Sequence, residues 1–96
     1  MKIVLFSLIY FLTQHSPEFN KAECTCKGIF LGGIVKIVDC NADFTVRVVQ
    51  YNEDLIVSKS DFTIGNKCGE WYFTDGPADF TIKFVESNAD FTIRFK

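Results

Sequence analysis

One short phrase recurs through the chain and limits what it can fold into. Asn41–Val48 reads Asn-Ala-Asp-Phe-Thr-Val-Arg-Val. It returns as Pro-Ala-Asp-Phe-Thr-Ile-Lys-Phe over Pro77–Phe84 and as Asn-Ala-Asp-Phe-Thr-Ile-Arg-Phe over Asn88–Phe95. Asp61–Ile64 is a shorter copy and Asn52–Val57 a degenerate one. Asp43 to Asp54 and Asp79 to Asp90 are steps of 11 residues, separated by irregular steps of 7 and 18. Within each unit the apolar residues fall on every second position: Phe44, Val46, Val48; Phe80, Ile82, Phe84; Phe91, Ile93, Phe95. A period of two carried by β-branched and aromatic residues specifies half-buried strands rather than helices. The spacing predicts about eight strand residues and about three turn residues per unit. The breaks at Asn-Ala, Gly65-Asn66 and Gly76-Pro77 carry turn chemistry. The expected fold is therefore all-β, one small domain of short strands. Stacked copies are expected to set like residues side by side, with Phe/Ile rows inside and Asp, Thr and Lys/Arg rows in water.

Composition fits one such domain. The chain has 96 residues, 48% hydrophobic and 16% aromatic, which excludes a disordered tail. Ten basic against twelve acidic side chains give a formal charge of −2. That balance lacks the clustered Lys/Arg of a general nucleic-acid binder.

The N-terminus reads as an address. Met1-Lys2 is a short basic start, Ile3–Leu12 an apolar run, and Thr13–Lys21 a polar stretch broken by Pro17. This is the layout of a secretory signal peptide, expected over residues 1–22 with cleavage at Ala22-Glu23. The apolar run covers about half of a bilayer core of about 30 Å, so no stable membrane insertion of the mature chain is expected. Residues 23–35 are then a cysteine-containing arm and 36–96 the β-repeat domain. A mature chain near the lower limit of roughly 70–80 residues buries little apolar surface and calls for a staple.

Cys24, Cys26, Cys40 and Cys68 are the candidates. An even count in a short secreted chain reads as a disulfide framework. Closing Cys24 on Cys26 would force a very tight ring, which leaves Cys24–Cys40 with Cys26–Cys68, or Cys24–Cys68 with Cys26–Cys40. Structural zinc usually takes paired C-x₂₋₄-C ligands, and the spacing of these cysteines does not supply them. The one histidine, His15, lies in the expected leader. Ser-His-Asp, Cys-His and His-ligated zinc chemistry therefore go with it, and no phosphate-cradling or dinucleotide-binding motif is present.

Beyond the repeat, Gly69–Asp75 reads Gly-Glu-Trp-Tyr-Phe-Thr-Asp, followed by Ala78-Asp79 and Ile82-Lys83-Phe84-Val85. Lys36-Ile37-Val38-Asp39 with Ala42-Asp43 follows the same rhythm. From Lys36 to Lys96 the chain resembles the septoil-knot domain family of small repeat proteins. Its turn Asp75–Asp79 is shorter than the family's usual one, and the Asp-Phe-Thr-Ile core is its own variant. The resemblance implies a compact sheet-rich domain whose backbone forms a seven-crossing knot. It implies no activity and no functional residues.

An aspartate copied into every unit serves the fold more readily than it serves as a unique catalytic group, so no catalytic residue, no metal site and no cofactor is expected. The chain reads as a small secreted non-enzymatic protein with an extracellular interaction or structural role and an unidentified extracellular partner. The alternative is a carbohydrate- or surface-binding module. Trp71 and Tyr72 point to opposite faces of one strand, and either one exposed would serve as a stacking surface.

Overall fold

The computed structural model describes residues 18–61 and 67–96. Most of the expected leader, Phe62–Ile64 of the short repeat copy and the Gly65-Asn66 turn lie outside the described residues. Among the described residues the chain forms strands and no helix. Three two-residue strands come first: β1 (Phe19–Asn20), β2 (Thr25–Cys26) and β3 (Ile29–Phe30), an antiparallel meander. Six longer ones follow: β4 (Gly33–Ile37), β5 (Phe44–Val48), β6 (Leu55–Lys59), β7 (Glu70–Phe73), β8 (Phe80–Phe84) and β9 (Phe91–Phe95). These close into a barrel in the order β4-β7-β6-β9-β5-β8, and every neighbouring pair is parallel.

Parallel strands ordinarily need a crossover of a dozen or more residues, because the chain must return the length of a strand. Here four of the five connections are six residues long: Val38–Asp43, Val49–Asp54, Thr74–Asp79 and Val85–Asp90. The register explains how. Ile82 is opposite Ile37 on one side and Phe44 on the other, so β4 ends level with the start of β5. Ile93 relates Val48 to Leu55 in the same way. Val35 relates Phe73 to Phe80, and Val46 relates Phe84 to Phe91. Each loop therefore moves only sideways, across the outside of one intervening strand.

The pairings also show the stagger directly, since the third residue of one strand meets the first of the next. A two-residue step of about 6.6 Å along the strand, against about 4.8 Å across it, tilts the strands by roughly 54°. The chain goes round once as β4, β5, β6 and then returns as β7, β8 and β9, one in each gap between them.

The eleven-residue period is thus five strand residues and six loop residues, not the expected eight and three. Like residues do not sit side by side either: stagger sets Phe44 beside Ile82 and Phe91 beside Val46. The alternation itself holds. Val35, Phe44, Val46, Val57, Phe80, Ile82, Phe91 and Ile93 fill the barrel, with Trp71 among them. Edge-to-face contacts run from Trp71 to Phe80, Phe44 and Phe91 at 5.5–5.7 Å, and Phe19 stacks on Phe91 at 5.3 Å. The third apolar residues of three strands, Ile37, Val48 and Phe84, are exposed instead, because they stand where the barrel opens.

The aspartate and threonine rows are not simply solvated. Asp43 Oδ2 accepts from Thr81 N at 2.9 Å, while Asp43 N donates to Thr81 Oγ1 at 2.8 Å. Asp90 and Thr45 repeat this clasp, as do Asp54 and Thr92. Asp79 binds Ile34 N, and Gly33, at φ +121°, leaves room for that carboxylate where a Cβ would strike it. Asn41, Asn52 and Asn88, each two residues before a clasping aspartate, take the left-handed backbone (φ 58–60°) that Asn tolerates. The motif Asn-Ala-Asp-Phe-Thr is thus a turn, a clasp and a core residue in sequence. Just before β7, which pairs with β6, Cys68 is instead bonded to Cys24 of the N-terminal segment.

Two boundaries differ from the sequence reading. β4 begins at Gly33, inside the expected arm, and β1 is built from Phe19 and Asn20, inside the expected leader. β1 belongs to the segment that closes one end of the barrel, whereas β4 is a wall strand held between β7 and β8.

Candidate functional site

With all six strands parallel, the barrel has one mouth at their N-terminal ends and one at their C-terminal ends. Residues 18–32 close the first. Leu31, Cys24 and Cys26 are buried there, and Leu31 O accepts from Trp71 Nε1 at 3.0 Å and from Gly69 N at 2.9 Å. Lys27 lies over the Phe44 ring, 3.7 Å from Asp90 Oδ2. Cys24 is bonded to Cys68 across 44 residues, so one of the two expected pairings supplies this bridge.

Its complement, Cys26–Cys40, is not formed, and both are free thiols. Cys26 is sealed in the core under the N-terminal mouth, while Cys40 sits exposed in the loop between β4 and β5. Burial, helped by the negative charge of Asp90, pushes the Cys26 thiol up and keeps it neutral. With Cys24 and Cys68 bonded to each other, a four-cysteine zinc site is not available. Among the described residues no group of His, Cys, Asp and Glu is placed to hold a metal.

Trp71 is 0% exposed, which removes it from the expected binding surface. Its indole fills the core and its one donor is satisfied by Leu31, the usual requirement for a buried Trp. Tyr72 is half-buried and lines a cleft of about 340 Å³ with Ile37, Phe73, Thr74 and Asp75.

The second mouth is open. In barrel order its inward positions are Ile37, Phe84, Val48, Phe95, Lys59 and Phe73. Ile37 is 49% exposed, Val48 43% and Phe84 40%. Phe73 and Phe95 meet at 6.5 Å between centroids, and Lys59 Nζ lies 5.1 Å over Phe95. Lys59 is the single charge in an otherwise apolar ring. Beside this mouth, the loop after β5 presents Tyr51, 75% exposed and absent from the candidate residues of the sequence reading. The signal was present: Tyr51 occupies the loop position held by Cys40, Gly76 and Ser87 in the other corners.

Fold and sequence together define a class, a staggered all-parallel β barrel whose second lap interleaves with its first. The sequence model of the 7(1) septoil knot domain matches residues 28–96, and the chain belongs to that family. The match begins before Lys36 and so takes in Leu31 and all of β4, in keeping with their place in the barrel. No curated protein sequence matches the chain.

Proposed function

We propose that this is a small, exported, non-enzymatic binding protein, in which the barrel is a rigid platform and its open mouth and adjoining corners meet an extracellular partner. The observation that carries this reading is the inequality of the two mouths. One is capped, disulfide-bonded and buried, while the other leaves Ile37, Val48 and Phe84 in water. Clustered apolar side chains left exposed on a stable scaffold mark contact sites more often than they serve the fold. The exported compartment is supported by the basic-apolar-polar start of the chain and by a disulfide that an oxidising environment preserves.

The test is the intact mass of the protein made with its own N-terminus in a secreting cell, before and after reduction and alkylation. Export predicts the protein in the medium, shortened, and about 2 Da lighter than its reduced form, since one disulfide is closed. Full-length protein retained in the cell overturns the exported part of the proposal. The cut site adds structural information. Cleavage after Ala22 removes β1 and the Phe19–Phe91 stack, whereas cleavage before Glu18 keeps the cap whole.

A further inference from the structure

The four six-residue corners are copies of one plan, so what differs among them is not required by the fold. Each first residue (Val38, Val49, Thr74, Val85) donates its N–H to the buried middle of the strand it crosses, at 2.8–3.0 Å. The second residue is acidic in three corners, Asp39, Asp75 and Glu86, and the third is small or short in the same three, Cys40, Gly76 and Ser87. In the β5–β6 corner these two are Gln50 and Tyr51.

The consequence is a change of both charge and shape. Lys36 and Lys83 each stand three residues before an acid, Asp39 and Glu86. Arg47, their equivalent, has neutral Gln50 there. Among the described residues no carboxylate is ion-paired with Arg47. The corner's own acid, Glu53, is held by both oxygens on Arg94, at 3.0 and 3.3 Å. Arg47 lies next to Thr92 in the register, and the two line a cleft of about 430 Å³ together with Val48, Val49, Gln50, Tyr51 and Asn52. The hydroxyl of Thr92 is already engaged by Asp54. The free groups are therefore one guanidinium, two side-chain amides and the aromatic side chain of Tyr51, a residue 75% open to solvent.

We propose that this corner binds an acidic sugar, a carboxylate-bearing hexose of the uronic-acid class. The Tyr51 ring offers a flat apolar face for the C–H side of a pyranose. The fork of Arg47 matches a carboxylate in bidentate geometry. Gln50 and Asn52 each offer donors and an acceptor, as a ring of hydroxyls requires. The cleft volume falls in the ordinary range for small-ligand sites. The inference rests on the reading of the barrel as an extracellular binding platform and names the ligand class for one part of it.

The test is an NMR titration of the purified protein with a uronic-acid disaccharide, its neutral counterpart of the same linkage, sodium acetate and AMP. The expected result is saturable movement of the Tyr51 ring and Arg47 Nε–H signals with the uronic-acid disaccharide. Binding of the neutral sugar, acetate and AMP should be at least about tenfold weaker. Tyr51→Ala and Arg47→Gln should each weaken binding about tenfold or more. Gln50→Asp, which restores the acid of the sibling corners, should do the same, and Lys83→Gln should leave binding unchanged. All four positions are on the outside of the barrel, and an unchanged near-ultraviolet signal from Trp71 reports an intact fold. No movement up to about 10 mM overturns the proposal, as do equal binding of acetate or AMP and indifference to Tyr51→Ala. Failure here with the protein found in the medium leaves the exported platform standing. Retention in the cell with sugar binding intact overturns only the compartment.

Discussion

The two mouths of the barrel are built from the same repeats, yet one is finished and the other is left open. At the N-terminal mouth, Phe44, Phe80 and Phe91 begin their strands and are buried under residues 18–32, tied by the Cys24–Cys68 bond. At the C-terminal mouth, Ile37, Val48 and Phe84 end their strands under no cover among the described residues. A repeat fixes side-chain spacing equally at both ends. Whether an apolar residue becomes core is decided by the non-repeated segment laid over it.

That difference is open to attack. Phe91→Ala and Phe80→Ala, at the capped end, should each cost about 3–5 kcal/mol in denaturant unfolding. Phe84→Ala at the open end should cost less than about 1 kcal/mol. Equal losses would mean that both mouths are core. Removing the cap's staple with Cys24→Ala plus Cys68→Ala should lower stability by about 2–4 kcal/mol. The clasps predict a smaller effect. Asp90→Ala leaves Thr45 N without its partner and should cost about 1–2 kcal/mol, while Asp75→Ala should stay within about 0.5 kcal/mol. Asp90→Asn, whose side-chain oxygen can still accept from Thr45 N, should lose less than Asp90→Ala if the loss belongs to the clasp.

Alkylation sharpens the comparison without measuring energy. In native protein the Cys40 thiol should react at once, and Cys26 only when the barrel is unfolded. Raising pH should also find Cys26 reluctant. Its folded pKa is above the unfolded one, so its contribution to stability is present below the unfolded value and fades as pH rises through the folded one.

The smallest effect is expected at Glu53 and Arg94. The guanidinium hydrogen-bonded to Glu53 holds its carboxyl below the usual range. The stabilisation is therefore complete above the ordinary carboxylate value and is lost as pH falls through the lowered one. Being at the surface, the pair should move the acid limb of the stability profile only slightly, and Arg94→Gln should remove that movement.

Much of the fold is legible in the residues because period-two alternation is a local property. Phe44, Val46, Phe80, Ile82, Phe91 and Ile93 declare their face by spacing alone. Repetition of the aspartate rightly marked it as structural, but its partner was hidden. Thr81 lies 38 residues from Asp43 and Thr45 45 from Asp90, and nothing local says which threonine faces which acid. The division into five strand and six loop residues was hidden for the same reason, since it follows from a stagger that exists only once strands pair. Cys26 and Cys40 could not be assigned by counting, because burial of one thiol and exposure of the other exist only in the closed fold. Tyr51 is inconspicuous in the sequence because it is unusual only against its sibling loops, whereas Trp71 and Tyr72 stand together in one strand.

The interleaving of the second lap also bears on how the chain reaches this state. Except for β6 with β7, no barrel strand is hydrogen-bonded to the one before or after it in sequence. β5 and β6 share β9 as their only common neighbour, and β4 and β5 share β8 in the same way. During synthesis, strands β4 to β6 therefore emerge with their edges unsatisfied and wait for partners made later. Such distant pairing makes folding slow and cooperative, and leaves the nascent chain exposed to wrong strand pairing meanwhile. The Asp and Lys/Arg residues that alternate with the apolar positions give those waiting edges charge, which discourages pairing with other chains until β9 closes the last gap.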